Sequence, residues 1–249
     1  MLRENSLARL EKPALVELAP GAGRSTMAMR VFRLLREAIV TLQIRPGDML
    51  SEADVSRQMG VSRQPVREAF IKLSEIGLVE IVPQRGTFVV KISMDDVSNA
   101  QFVREAIEVA IVRRACEVAT DADLAEIRRV IERQKEALGS DDLTGFLALD
   151  ESFHRALAEA ARCTAARQSI DAVDAQLDRV RFLSLPLFAH MPIIIAAHEK
   201  IIAAVEARAV ELAEQAMREH LSALPFYLPE VASKYSDLFS DSGRGKAET

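Results

Sequence analysis

Gly60-Val61-Ser62-Arg63-Gln64-Pro65-Val66-Arg67-Glu68-Ala69-Phe70-Ile71-Lys72-Leu73 is the stretch whose reading decides the fold. Val66, Ala69, Phe70 and Leu73 recur at helical spacing and define an inner face. At about 100° per residue, Arg63, Gln64 and Arg67 fall together on the other side, close to the helix start. Ser62 begins that helix, and Pro65 sits where a missing N–H costs little. Upstream, Ser51 offers an N-cap for a short helix through Gln58, ended by Gly60. Before it, Phe32, Leu35, Ile39 and Leu42 mark a first helix, stopped by Arg45-Pro46-Gly47. Downstream, Leu78–Val82 and Thr87–Val90 read as strands joined by Pro83-Gln84-Arg85-Gly86.

Helix, helix-turn-helix, then β-hairpin is the winged helix-turn-helix layout. Its third helix fits a major groove, where Arg63 and Arg67 can donate to guanine O6/N7 or to phosphates, and Gln64 can read adenine or position the backbone. Gly86 allows close approach at the wing tip, and Arg85 can reach a minor groove or a phosphate from there. A solvated helix face explains any single arginine equally well. The ordered set points to double-stranded DNA.

Charge divides the chain at the same place. Residues 24–92 carry 11 Lys+Arg against 7 Asp+Glu, whereas residues 93–249 carry 18 against 27, within a net charge of −5. A basic module followed by an acidic one suggests a polyanion contact at one end only. At 249 residues and 49% apolar, the chain can build one large core or two smaller ones. No apolar run reaches the roughly 18 residues of a membrane span. Two cysteines, Cys116 and Cys163, are too few for a disulfide framework, and the expected compartment is a reducing cytoplasm. Residues 1–23 read as a flexible extension, 24–92 as the DNA-binding module, 93–232 as a helical effector-binding and dimerisation domain, and 233–249 as a flexible tail.

After Ser93, a plausible N-cap, every segment reads as helix, with breaks near Thr120, Gly139-Ser140, Arg162-Cys163 and Pro186 to Pro192. Three of these helices carry polar residues on apolar stripes. Asp150 and His154, four apart, interrupt Leu143, Phe146, Leu147, Phe153 and Leu157. His198 lies among Ile194, Ile195, Ile201, Ile202 and Val205, and His220 among Ala213, Ala216, Met217 and Leu224. A lone core histidine usually just bonds a neighbour, but a buried carboxylate is costly unless it is paired or metal-bound. Asp150 with three imidazoles makes an O,N,N,N set suited to Zn²⁺, with Ni²⁺ or Mn²⁺ also acceptable. Neutral imidazoles hydrogen-bonding Asp150 without a metal are the alternative. On the domain's first helix, Arg104 and Glu108 sit amid Val97, Ala100, Ile107, Ile111 and Ala115. They make either an internal ion pair or a guanidinium fork for a carboxylate ligand.

Both halves resemble a known family. The stretch from Ile39 to Val90 resembles the GntR family of bacterial transcriptional regulators through Ile44–Leu50, Ser51-Glu52, Gly60–Ala69, Gly77-Leu78-Val79 and Arg85–Val89. The second half resembles the FCD effector-binding bundle of FadR-type members, through Arg104-x-x-Ile107-Glu108, Asp150-x-x-Phe153-His154, His198-Glu199-Lys200-Ile201 and Met217–Leu221. The resemblance implies that Ser62, Arg63, Gln64, Arg67 and the Arg85–Gly86 tip contact operator DNA. It also implies an antiparallel bundle of six or seven helices in which Asp150, His154, His198 and His220 ligate a divalent metal, with a small organic acid held between that metal and Arg104. Two departures stand out: Gln64 where Thr is common, and Arg162-Cys163 where the family commonly has Gly-Asn.

The expected function is a ligand-responsive regulator, a repressor acting as a homodimer on a pseudo-palindromic operator. A metal-dependent hydrolase is the competing class. Against it, His198-Glu199 does not continue into HExxH, because position 202 is Ile, and no Ser or Cys is paired with a base by spacing. A bundle serving only for dimerisation is a third possibility.

Overall fold

The computed structural model describes residues 26–138, 142–188 and 191–240. The expected extension at 1–23, residues 241–249 of the expected tail, the break at Gly139-Ser140 and residues 189–190 of the break expected between Pro186 and Pro192 therefore lie outside the described residues. The chain divides into two compact units between Ile92 and Ser93.

In the first unit, Thr26 caps α1 (Met27–Val40), its hydroxyl accepting from the Met29 N–H at 3.3 Å. The sequence pattern carries this helix on through Leu42, but it ends at Val40. Leu42 takes a left-handed φ of +59°, and the Ile44 N–H folds back onto Ala38 O at 3.0 Å. Strand β1 (Met49–Leu50) follows, then α2 (Glu52–Met59), capped by Ser51 and closed by Gly60 at φ +64°. Next come α3 (Arg63–Glu75), β2 (Val79–Val82) and β3 (Gly86–Val89). The two-residue β1, too short to leave a sequence pattern, pairs antiparallel with β3 and makes a sheet of order β1-β3-β2. Val31, Leu35 and Ile39 of α1 pack in the core with Val66, Phe70 and Leu73 of α3.

The second unit contains α4 (Met94–Val118), α5 (Asp121–Ala137), α6 (Leu143–Ala160), α7 (Thr164–Phe188), α8 (Met191–Glu206) and α9 (Val210–Lys234), six α-helices among the described residues. Helix α4 is the axis of this bundle, touching α6, α7, α8 and α9. That position explains why it buries polar as well as apolar side chains. The core is built from Ile111, Val112, Ile127, Phe146, Phe153, Leu157, Ile201, Val205 and Met217. The expected boundary at 232 falls short. Helix α9 continues to Lys234, a 3₁₀ turn spans Ser236–Leu238, and Leu238 and Phe239 are buried. Burial of these two apolar side chains draws residues 236–239 in.

Arg162 occupies the α6–α7 junction at φ +59°, a conformation that favours glycine. Its guanidinium grips the Asp123 carboxylate at 3.0 and 2.8 Å. Asp123 also closes a capping box with Thr120 at the start of α5. The Arg162 fork and the Thr120 bonds hold the Asp123 carboxyl far below the usual carboxylate range. Because the folded state prefers the ionised form, this contribution is present above about pH 4 and is lost as pH falls through the depressed value. Asp123→Ala should therefore cost about 1 kcal/mol at pH 7, read by urea denaturation. The difference from wild type should shrink steadily below pH 4; an equal difference at pH 7 and pH 2.5 would contradict the assignment.

Candidate DNA-contact face and inward-facing imidazole cluster

The buried side of α3 consists of Val66, Ala69, Phe70 and Leu73, which forces Ser62, Arg63, Gln64 and Arg67 to the exposed side. Ser62 stands at the N-cap but makes no side-chain cap bond. The first N–H groups of α3 and the Ser62 hydroxyl are thus available to an anion. Arg63 is exposed and makes no hydrogen bond among the described residues. Arg67 is different: its Nε and Nη2 donate to the two oxygens of Glu52, both at 3.0 Å. The fork fixes the guanidinium plane and leaves its outer edge facing solvent. Gln64 donates to Glu68 Oε1 at 2.9 Å. At the wing, the Arg85 N–H closes a turn on Val82 O at 3.1 Å, with Gln84 at φ +62° and Gly86 at φ +125°. Glycine is required at 86 by that backbone angle, and Arg85 projects from an exposed tip.

In the second unit the structure brings four distant residues to one point. Each of Asp150, His154, His198 and His220 offers a ligand atom, and these atoms lie within 4.8 Å of one another. Nε2 of His220 is 3.3 Å from Nε2 of His198 and 3.3 Å from Nε2 of His154. Nδ1 of His154 donates to Glu108 Oε2 at 2.6 Å, and Nδ1 of His198 donates to Gln134 Oε1 at 2.9 Å. Those bonds place a hydrogen on each Nδ1 and turn both Nε2 atoms toward the cluster; on His198, which is neutral, that Nε2 is a bare lone pair. Phe153 stacks on His198 with ring centroids 3.7 Å apart and holds that ring's plane. Burial pushes the imidazoles of His198 and His220 down to about 3, so both are neutral at pH 7. For Asp150, burial opposes ionisation, but His154, His198, Arg181 and His220 together hold the carboxyl well below the usual range. Its Oδ1 is buried without a hydrogen-bond donor and lies 3.5 Å from His198 Nε2. Ring nitrogens and an orphaned carboxylate oxygen aimed at one point fit a divalent cation.

Beside this cluster lies a cavity of about 490 Å³, lined by Asp150, His220, Arg104 and Arg181 on its polar side. Both earlier readings of Arg104 and Glu108 find a counterpart. Arg104 Nε bonds Glu108 Oε1 at 3.0 Å, and Arg104 also reaches the cavity wall. Glu108, grouped with Arg104 as effector-binding in the sequence reading, does not line the cavity. Its oxygens are taken by Arg104 and His154, so it orients both. Two participants, Gln134 and Arg181, were missed. Gln134 follows Ile127, Val130 and Ile131 on one buried face of α5, the same polar-on-apolar signal that exposed Asp150. Arg181 bonds Asp150 Oδ2 at 3.1 Å and shares its guanidinium with Asp174 and Asp178; the spacing Asp174–Asp178–Arg181 marks one helix face.

A winged helix-turn-helix followed by an all-helical bundle with an internal polar cavity defines a DNA-binding transcriptional regulator. Residues 27–89 match the description "Bacterial regulatory proteins, gntR family", and residues 101–223 match the FCD domain. The chain is 39% identical over 212 residues, 85% of its own length and 93% of the relative's, to the HTH-type transcriptional repressor RspR of Escherichia coli K12. Among solved structures it resembles E. coli McbR/YncC (TM-score 0.73, 19% identity, 85% of this chain and 99% of that one). It also resembles a chain from Rhodococcus sp. RHA1 described as a GntR transcriptional regulator (TM-score 0.68, 27% identity, 85% and 100%). The protein belongs to the GntR family and carries an FCD domain; it is a transcriptional regulator, not an enzyme. No described helix is long and apolar enough to cross a membrane.

The depressed imidazoles make stability depend on pH. The unfolded chain takes up protons near pH 6.5, whereas folded His198 and His220 resist until about pH 3. Stability therefore rises with pH through that window, by up to about 1.4 kcal/mol per pH unit for each imidazole. Chelator-treated protein should lose stability between pH 7 and pH 5 in guanidinium chloride, and His220→Gln should flatten part of that slope. Equal stability at both pH values would contradict the buried, neutral state.

Proposed function

We propose that this regulator is a repressor that binds a pseudo-palindromic operator as a homodimer in the cytoplasm and responds to a small carboxylic acid held beside a divalent metal. The convergence of Asp150, His154, His198 and His220 next to a cavity that Arg104 also lines carries this reading. These four residues would hold the ion, with Zn²⁺ best suited to the donor set and Ni²⁺ or Mn²⁺ next. When bound, such an ion supplies a Lewis-acid anchor for one carboxylate. Arg104 orients the acid from the cavity wall, while Glu108 and Gln134 hold the imidazole tautomers. Arg104 and Glu108 belong to α4, the helix that directly follows Ile92 in the chain. An acid that binds one arrangement of α4 better than another shifts the population of DNA-competent molecules.

On the DNA side, Arg63 is the principal base or phosphate donor, and Arg67 presents the outer edge left by Glu52. Ser62 and the start of α3 hold a phosphate, Gln64 reads or positions through its remaining amide atoms, and Arg85 enters at the Gly86 tip. Two such modules are needed, because one buries too little surface for specific affinity.

Arg63→Ala should weaken operator binding by about ten-fold or more at fixed salt, in fluorescence anisotropy with an operator selected from a random pool by the wild-type protein. An unchanged Kd removes Arg63 from the interface. The double variant His154→Ala with His198→Ala should retain no zinc by elemental analysis while still binding operator. Zinc retention at the wild-type level would overturn the ligand assignment.

A further inference from the structure

Helix α4 has two different sides. Arg104 and Glu108 are buried, Arg104 on the cavity wall and Glu108 bonded to Arg104 and His154. At about 100° per residue, Asp95, Phe102, Val103, Ala106, Ala110 and Arg113 fall together on the opposite side, and all six are exposed. Phe102 is 76% exposed and Val103 36%, although α6, α7, α8 and α9 all pack against this helix. A contiguous apolar face on the axial helix of a bundle marks an interaction surface, unlike apolar residues scattered singly over an exterior.

Charge along this face selects its partner. Asp95 stands at the N-terminal end and Arg113 at the C-terminal end, with the apolar residues between them. Laid antiparallel on a second copy, the face is self-complementary across a two-fold axis near residue 104. Asp95 of each chain then lies opposite Arg113 of the other, and Phe102 opposite the small Ala106, since both pairs are symmetric about that point. A parallel arrangement would instead set like charges together at both ends. Arg113 bonds Glu214 of its own chain through Nε, yet 60% of its side chain is exposed, so its other N–H groups can meet a partner's carboxylate. Glu117, on the same face, is 3.8 Å from Arg114 and matched within its own chain. We infer that the outer face of α4 is the seam between two copies of this chain, packed antiparallel with Asp95 against Arg113 and Phe102 against Ala106. This rests on the homodimer of the proposed function and locates its contact. One helix then carries the cavity-wall guanidinium on one side and the subunit contact on the other.

The test is sedimentation equilibrium of the full-length protein and of Phe102→Glu, Leu138→Glu, Asp95→Arg, Arg113→Asp and the double charge reversal. Phe102 and Leu138 are both exposed, so neither substitution opens a core, and Leu138 ends α5, which packs chiefly on α6 and α8. Phe102→Glu should raise the dimer dissociation constant about ten-fold or more, and Leu138→Glu should change it by no more than about two-fold. Each single charge reversal should weaken the dimer about five-fold, and the double reversal should recover most of that loss. A wild-type dimer that Phe102→Glu leaves intact, or that Leu138→Glu weakens equally, overturns the α4 seam while the homodimer stands. A double reversal weaker than either single one overturns the antiparallel register. A wild-type protein that is monomeric at every concentration overturns the homodimer itself.

Discussion

Both oxygens of Glu108 are committed, one to Arg104 and the other to Nδ1 of His154, and the polar interior of the bundle depends on that pair of bonds. A carboxylate with no exposure is tolerable inside helices only if its charge is matched and its lone pairs are filled. Glu108 meets that condition by fixing a guanidinium at the cavity wall and a tautomer at the imidazole cluster. Gln134 plays the matching part for His198, and Phe153 sets the ring plane by stacking. The Nε2 atoms of His154 and His198 face the cluster because their opposite nitrogens are held from behind. Removing one support would leave a buried group unmatched, which costs more than the bond itself contributes.

Much of this was legible in the sequence because buried polarity breaks a periodic pattern. Asp150, His154, His198 and His220 each stand on an apolar stripe, and four such interruptions in one domain are difficult to explain separately. The winged unit was legible for a related reason: caps, a left-handed Gly60 and two short strands are local signals that need no tertiary partner. What was missed depends on partners far apart in the chain. Strand β1 exists only because β3 lies beside it. Arg181 and Gln134 matter only once α7 and α5 carry them to Asp150 and His198. Glu108 was recognised as anomalous, but which of its neighbours would claim its oxygens is decided by how α4 packs against α6. Arg162 shows the limit of pattern matching. It adopts a backbone angle that favours glycine, and its guanidinium is held by Asp123.

The two units share one logic despite different chemistry. On α3, Glu52 pins Arg67 so that a single donor edge remains for a partner; in the bundle, Glu108 pins Arg104 and His154 so that one guanidinium and one ring nitrogen point into the site. In both places a carboxylate restricts a guanidinium or imidazole by hydrogen bonding, and preorganisation of this kind lowers the entropy lost on binding. Under the proposed function, an acid at the cavity would act by biasing α4, the helix nearest in sequence to the DNA-binding unit.

The central claim is that His154, His198 and His220, brought together by three helices, offer ring nitrogens beside Asp150 to a single ion. Its most direct test is calorimetric titration of chelator-treated protein with Zn²⁺ at pH 7 in two buffers of different ionisation enthalpy. One ion should bind per chain, with a buffer dependence equivalent to no more than one released proton, because His198 and His220 are already neutral at pH 7. Failure to saturate at one ion, or a buffer dependence equivalent to two or more released protons, would contradict it.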